Sequence, residues 1–123
     1  MNSADLSAQG ENTSVAFVAK VAVENAAYHF DKEFDYLIPR ELLEKARPGR
    51  RVLVPFGGGN RRRQGVIFAT EVLTEPSERL KPISSLLDEA PLLNEELLLL
   101  ARFLKERYFC PLFEAVKLLL PTG

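Results

Sequence analysis

Two clusters in this chain carry side chains suited to recognising another molecule. The first is Phe34-Asp35-Tyr36, a carboxylate between two aromatic rings. The second is Gly57-Gly58-Gly59-Asn60, which runs directly into Arg61-Arg62-Arg63. Aromatic faces stack on bases without regard to sequence, and guanidinium groups neutralise phosphates. Aromatics on short strands beside a basic hairpin are the ingredients of single-strand nucleic-acid binding. Each cluster also has a plain structural reading, with the aromatics as core and the arginines as a solvated basic loop.

Catalysis fails by elimination. The one histidine, His29, has no Ser and Asp partnership that marks it as a triad base. Cys110 is the one cysteine, so it builds no structural zinc site with a single distant histidine. It reads as a packed thiol. The three glycines resemble a phosphate cradle, but no Gly-Lys-Ser/Thr follows them. Asp88 and Glu89 are adjacent, and a turn or helix-front role explains them. We expect neither catalytic nor metal-binding residues.

The bulk properties fit a soluble globular chain of one ordinary domain: 123 residues, 46% apolar and 27% charged. No apolar run reaches the ~20 residues that span a bilayer. The N-terminus lacks the apolar centre of a signal peptide. A single cysteine excludes an internal disulfide and agrees with a reducing, cytoplasmic setting. The net charge of −1 is unevenly spread. Residues 40–63 hold eight basic and two acidic groups, while the segments on either side are acidic. A near-neutral total therefore hides a locally basic region.

The elements that must position these groups follow from periodicity. Residues 1–14 are polar and aperiodic, a disordered lead-in. Residues 15–24 alternate, with Val15, Phe17, Ala19, Val21 and Val23 on one face, and so predict a strand. After a loop over 25–32, residues 33–38 form a second strand that Pro39 ends. Residues 40–46 make one or two helical turns, and Pro48-Gly49 marks a turn. Strands are predicted over 51–56, 64–73 and 80–87, the last weakened by Pro82. Asn94 caps a helix in which Leu97, Leu100, Ala101, Leu104 and Tyr108 share a face, with Leu93 stapled onto Leu98. A second short helix covers 112–119, ended by Pro121. Strands followed by helices predict an α+β fold: a small antiparallel, β-barrel-like (OB-like) part over 15–88 and a helical part over 89–123. The apolar run over 115–120, close to the chain end, is expected to lead into a longer protein.

Three segments together are more specific than any one. They are Phe34-Asp35-Tyr36-Leu37-Ile38-Pro39, then Pro48-Gly49-Arg50-Arg51-Val52-Leu53-Val54-Pro55-Phe56-Gly57, then Arg63-Gln64-Gly65-Val66-Ile67. Leu80-Lys81-Pro82-Ile83, Leu87-Asp88, Pro91 and Tyr108 follow in order. Over residues 15–123 this pattern resembles the N-terminal DNA-binding domain of the bacterial replication-restart helicases, the primosomal protein N′ (PriA) family. The resemblance implies binding of the 3′ end of the nascent leading strand at a stalled fork. It implies an end-binding pocket made by Phe34, Asp35, Tyr36, Gly57 and Lys81. The helicase motor, with its ATP, magnesium and zinc, would belong to the longer protein and not to this segment. Implied partners are DNA with a free 3′ end, the remaining helicase domains, other primosome proteins and single-stranded DNA-binding protein.

The residue types suit a strand end. A carboxylate repels phosphate, yet a terminal 3′-hydroxyl is a donor that Asp35 can accept. A 3′-phosphate would place negative charge against that carboxylate. Gly57 lets backbone approach the nucleotide. Lys81, Arg61, Arg62 and Arg63 would neutralise flanking phosphates. In a regular strand, however, Phe34 and Tyr36 share one face and Asp35 takes the other. The aromatics then either pack in the core or stack on a base. The alternative reading is a protein-docking β-barrel module without direct DNA binding, with the run over 115–120 as its apolar surface.

Overall fold

A computed structural model describes residues 15–24, 33–76 and 79–120. The polar lead-in, the loop over 25–32 with His29, and Pro121 lie outside the described residues. The described residues form six strands and two helices: β1 (Ala16–Val23), β2 (Phe34–Leu37), β3 (Arg51–Phe56), β4 (Arg61–Leu73), β5 (Lys81–Pro82), β6 (Ser85–Leu86), α1 (Glu95–Tyr108) and α2 (Leu112–Leu119). A short 3₁₀ turn, Arg40–Leu42, stands where one or two helical turns were expected.

The strands form one sheet in the order β5-β2-β1-β4-β3-β6. Its two edge strands are consecutive in the chain, separated only by Ile83 and Ser84. Ile83 N donates to Leu37 O at 3.0 Å and Ser84 N to Leu53 O at 2.8 Å, so these two residues bridge from one sheet edge to the other. The sheet is therefore curled into a barrel-like form. Two sequence expectations change here. The single strand over 80–87 is two short strands on opposite edges, because Ile83 and Ser84 carry the chain across the barrel mouth. The sheet is also mixed, since β5 pairs with β2 in parallel while the remaining pairings are antiparallel.

β1 and β4 carry apolar residues on both faces. Ala19, Val21 and Val23 of β1 face a first core with Tyr36, Val52, Val54, Ile67 and Ile83. Ala22, with Val66 and Phe68, faces a second core with Leu93, Leu98, Ala101, Leu112, Phe113, Ala115 and Val116. A bulge where the β1–β4 register shifts after Lys20 leaves Phe68 as the extra residue of β4. Val15 and Phe17, predicted to share the buried face, are instead exposed at the barrel end.

Asn94 caps α1 as expected, its Oδ1 accepting from Leu97 N at 2.9 Å. Leu93 and Leu98 lie in one buried cluster, as a staple requires. The buried stripe of α1 keeps Leu97, Ala101 and Leu104 of the expected face and is rotated toward Leu98. Leu98 and Ala101 are buried, whereas Leu100 and Tyr108 are exposed. Four consecutive leucines, 97–100, leave the sequence unable to choose a register. The sheet and α2 make the choice.

Two clasps hold the sheet to the helical layer. Gly49 adopts φ +93, and a Cβ there would lie 1.9 Å from Leu93 O, so the backbones meet where no other residue fits. Gly49 O accepts from Leu92 N at 3.0 Å. Nearby, Arg51 makes a fork onto Asp88, Nε to Oδ2 at 2.7 Å and Nη2 to Oδ1 at 2.8 Å. The Arg51 guanidinium holds the Asp88 carboxyl below the usual carboxylate range. Arg50 is buried, with Nη2 donating to Asp88 O at 2.6 Å. Two cations of the basic stretch are thus structural, so residues 40–63 do not form one positive surface.

Candidate nucleic-acid interface

β2, the β3–β4 turn and the approach to β5 surround a groove of about 480 Å³. Its walls include Phe34, Asp35, Tyr36, Gly57 and Lys81, the five residues assigned to the end-binding pocket from sequence. These come from three chain segments brought together by the sheet's curl. Glu33, Phe56 and Arg79 also line it, and sequence reasoning had not singled them out. Phe56 was legible as the residue before Gly57 in the Pro55-Phe56-Gly57 turn approach. Nothing in the spacing marked Glu33 or Arg79.

Alternation along β2 sorts the tripeptide. Tyr36 is only 4% exposed and belongs to the first core. Its hydroxyl donates to Pro55 O at 2.7 Å, which ties β2 to β3 across the barrel. Burial pushes the Tyr36 phenol up to about 12, against the opposing charge of Arg63. Phe34 is half-buried and meets Phe56 edge-to-face, with ring centroids 5.1 Å apart at 85°. Tyr36 is thus a packing residue, and Phe34 and Phe56 form an aromatic wall.

Asp35 takes the outer face. It stands opposite Lys20 on β1, whose Nζ donates to Asp35 Oδ1 at 3.0 Å. Lys20 also reaches Glu71 Oε2 at 3.3 Å. The hydrogen bond from Lys20 to Asp35, with the Glu71 contact adding to it, raises the Lys20 pKa above its ordinary value. One cation is shared between two carboxylates, so this cluster keeps a net negative charge. An ionised carboxylate has about four acceptor positions, so an ion pair on Oδ1 leaves Asp35 able to accept a ligand hydroxyl.

Lys81 donates to Gly57 O at 3.3 Å and to Asn60 Oδ1. Gly57 has φ +78, and a Cβ built on it would meet nothing within 4 Å. The left-handed backbone calls for glycine here, and the space beside it is open to a ligand.

The arginine triplet, expected between the turn and the next strand, lies in β4 itself. β4 begins three residues earlier than expected, and Arg61, Arg62 and Arg63 pair with Phe56, Pro55 and Val54. Residues opposite one another share a face, so Arg61 and Arg63 lie with Phe56 and Val54 while Arg62 takes the other face. The Arg63 guanidinium stands 4.7 Å from the Phe56 ring centroid. The strand thus divides the triplet between its two faces.

Among the described residues there is no group of three or more His, Cys, Asp or Glu that could hold a metal ion, and no helix long and apolar enough to cross a membrane. Cys110 is partly buried against the second core.

Residues 20–121 match the family model described as the 3′ DNA-binding domain of PriA. The chain is 35% identical over 106 residues to the replication restart protein PriA of Bacillus subtilis (strain 168), covering 85% of this chain and 13% of that protein. It is 32% identical over 112 residues to the replication restart protein PriA of Chlamydia pneumoniae, covering 91% of this chain and 14% of that protein. The chain thus spans about one seventh of the length of these curated relatives. A curled sheet with a helical layer, a groove built on Phe34-Asp35-Tyr36 and a match over nearly the whole chain together place it in the PriA 3′ DNA-binding domain family.

Proposed function

We propose that the chain binds DNA by recognising a strand that ends in a 3′-hydroxyl, in the family's setting the nascent leading strand at a stalled replication fork. The supporting observation is the groove that collects Phe34, Asp35, Tyr36, Gly57 and Lys81 from three separate segments. In this reading Asp35 accepts the terminal hydroxyl, the Phe34–Phe56 wall packs on the last nucleotide, and Lys81 faces its phosphate. Tyr36 acts by holding β2 against β3 rather than by stacking. Helicase activity, with ATP, magnesium and zinc, belongs in this reading to a longer protein of the relatives' kind, as do replisome loading and contacts with other primosome proteins.

Fluorescence anisotropy with otherwise identical oligonucleotides ending in 3′-hydroxyl or 3′-phosphate tests the reading. We expect tighter binding of the 3′-hydroxyl strand and loss of most of that preference in Asp35→Ala. Equal affinity of the parent chain for both ends would sink the role given to Asp35.

The docking alternative covers a different set of side chains from the one expected. Ala115 and Val116, in the run first assigned to it, are buried in the second core. Leu118 of the same run is exposed, and further large exposed apolar side chains stand on and beside α1, at Leu99, Phe103, Tyr108 and Phe109. A contact with the rest of a longer chain through this face is compatible with end binding.

A further inference from the structure

The residue immediately before the tripeptide is also acidic. Glu33 lines the groove together with Asp35, so two acidic residues border a site that would receive a polyanion. Left uncompensated, the second carboxylate would repel every phosphate that approaches.

Glu33 is compensated from a distant part of the chain. Arg102, on α1, makes a two-pronged contact with it, Nη1 to Oε2 at 2.6 Å and Nη2 to Oε1 at 3.0 Å. The fork geometry fixes the carboxylate's orientation as well as cancelling its charge. The arginine is itself held, with its guanidinium 4.8 Å from the ring centroid of Phe68, the bulged residue of β4. The contrast with Asp35 is one of charge. Asp35 shares Lys20 with Glu71, whereas Glu33 has a cation in a bidentate pair.

On the end-binding reading above, we propose that Arg102 is a positioning residue of the groove. It neutralises Glu33 and holds it aside, so that Asp35 is the carboxylate that confronts the strand end. Arg102 does this from the helical layer without touching DNA, which gives that layer a part in the groove's selectivity.

The test uses the full chain and a single-stranded oligonucleotide with a 3′-hydroxyl, alongside its 3′-phosphate counterpart. The variants are Arg102→Met, which keeps an apolar stem against Phe68, Glu33→Gln, the two combined, and Arg102→Lys. Arg102→Met should weaken binding of the 3′-hydroxyl strand about three- to tenfold at low salt. The deficit should shrink as salt rises, since screening acts on repulsion between exposed charges. Glu33→Gln alone should bind at least as tightly as the parent. The combined variant should recover parental affinity, because the arginine is not needed once the carboxylate is gone. Arg102→Lys keeps the charge and should stay close to the parent, which separates charge from any folding defect. A combined variant as weak as Arg102→Met would overturn the proposal, since a direct phosphate contact or a purely structural role predicts that outcome. A parent chain that binds neither oligonucleotide would overturn the end-binding reading and this proposal together.

Discussion

Lys81 and Gly57 are 24 residues apart in the chain and are joined by a 3.3 Å hydrogen bond from Nζ to the carbonyl oxygen. The same ammonium donates to Asn60 Oδ1. Through these bonds the edge strand β5 is tied to the turn between β3 and β4, and Lys81 and Gly57 both line the groove. The relationship depends on the Gly57 backbone, which turns its carbonyl toward Lys81 from a left-handed conformation.

Gly57 should therefore be the one glycine of the three that matters. Gly57→Ala places a Cβ on φ +78 and should cost roughly 1–2 kcal/mol. Gly58→Ala, where no positive φ is required and a Cβ meets nothing, should stay within about 0.5 kcal/mol of the parent. Urea unfolding of the two variants distinguishes them.

Tyr36 should give the fold an alkaline limit. Its folded-state pKa of about 12 exceeds the ordinary value of 10.0, so the folded chain holds the proton more tightly than the unfolded chain. The contribution is complete below pH 10 and is lost as pH rises through 12. Tyr36→Phe removes the hydrogen bond to Pro55 and should cost about 1 kcal/mol at neutral pH. The stability gap between parent and variant should then narrow, or reverse, from pH 10 to 12, measured by denaturant midpoint.

Asp88 should set an acid limit of opposite sign. Its pKa is held below the ordinary 3.8, chiefly by the hydrogen bond from Arg51. The stabilisation is present above 3.8 and disappears as pH falls through the depressed value. Asp88→Asn suits the position's φ of 64, which asparagine tolerates, but loses the charge. It should cost about 1 kcal/mol at pH 7, with the difference vanishing in strong acid. Circular dichroism melts across the acid range would show whether the two curves converge.

The arginine triplet should divide by face. Replacing Arg61 and Arg63 with Ala should flatten the salt dependence of single-strand binding by about 0.7 in slope for each phosphate no longer neutralised. Arg62→Ala, on the opposite face, should leave the slope unchanged. Arg63→Ala should also lower the melting temperature, because it removes the cation from the Phe56 ring. An altered slope in Arg62→Ala would show that phosphate also reaches the face of β4 opposite Phe56 and Val54.

Much of this molecule is written locally. Alternation predicted β3 over its observed span, and the period along 112–119 predicted α2. Asn94 announced the start of α1, because an amide cap acts within one turn. Alternation at Phe34, Asp35 and Tyr36 also predicted which side chain leaves the core face. Where local signals were degenerate, the sequence misled. The leucines at 97–100 fit several helical registers, and the start of β4 was hidden because charged arginines resemble a loop.

The family resemblance pointed to the groove-lining tripeptide, while the sequence by itself determined the strands-then-helices order and the need for glycine near the β3–β4 turn. Those features rest on period, turn chemistry and residue type, all readable over a few neighbours. Only the tertiary structure decided that Lys81 meets Gly57, that Lys20 is shared by Asp35 and Glu71, and that Arg102 covers Glu33. Those pairings join residues 15 to 69 positions apart, and they form because the sheet curls and the helices pack on its outer face. Charge placement around the groove is therefore a property of the fold, although every charge in it was visible in the chain.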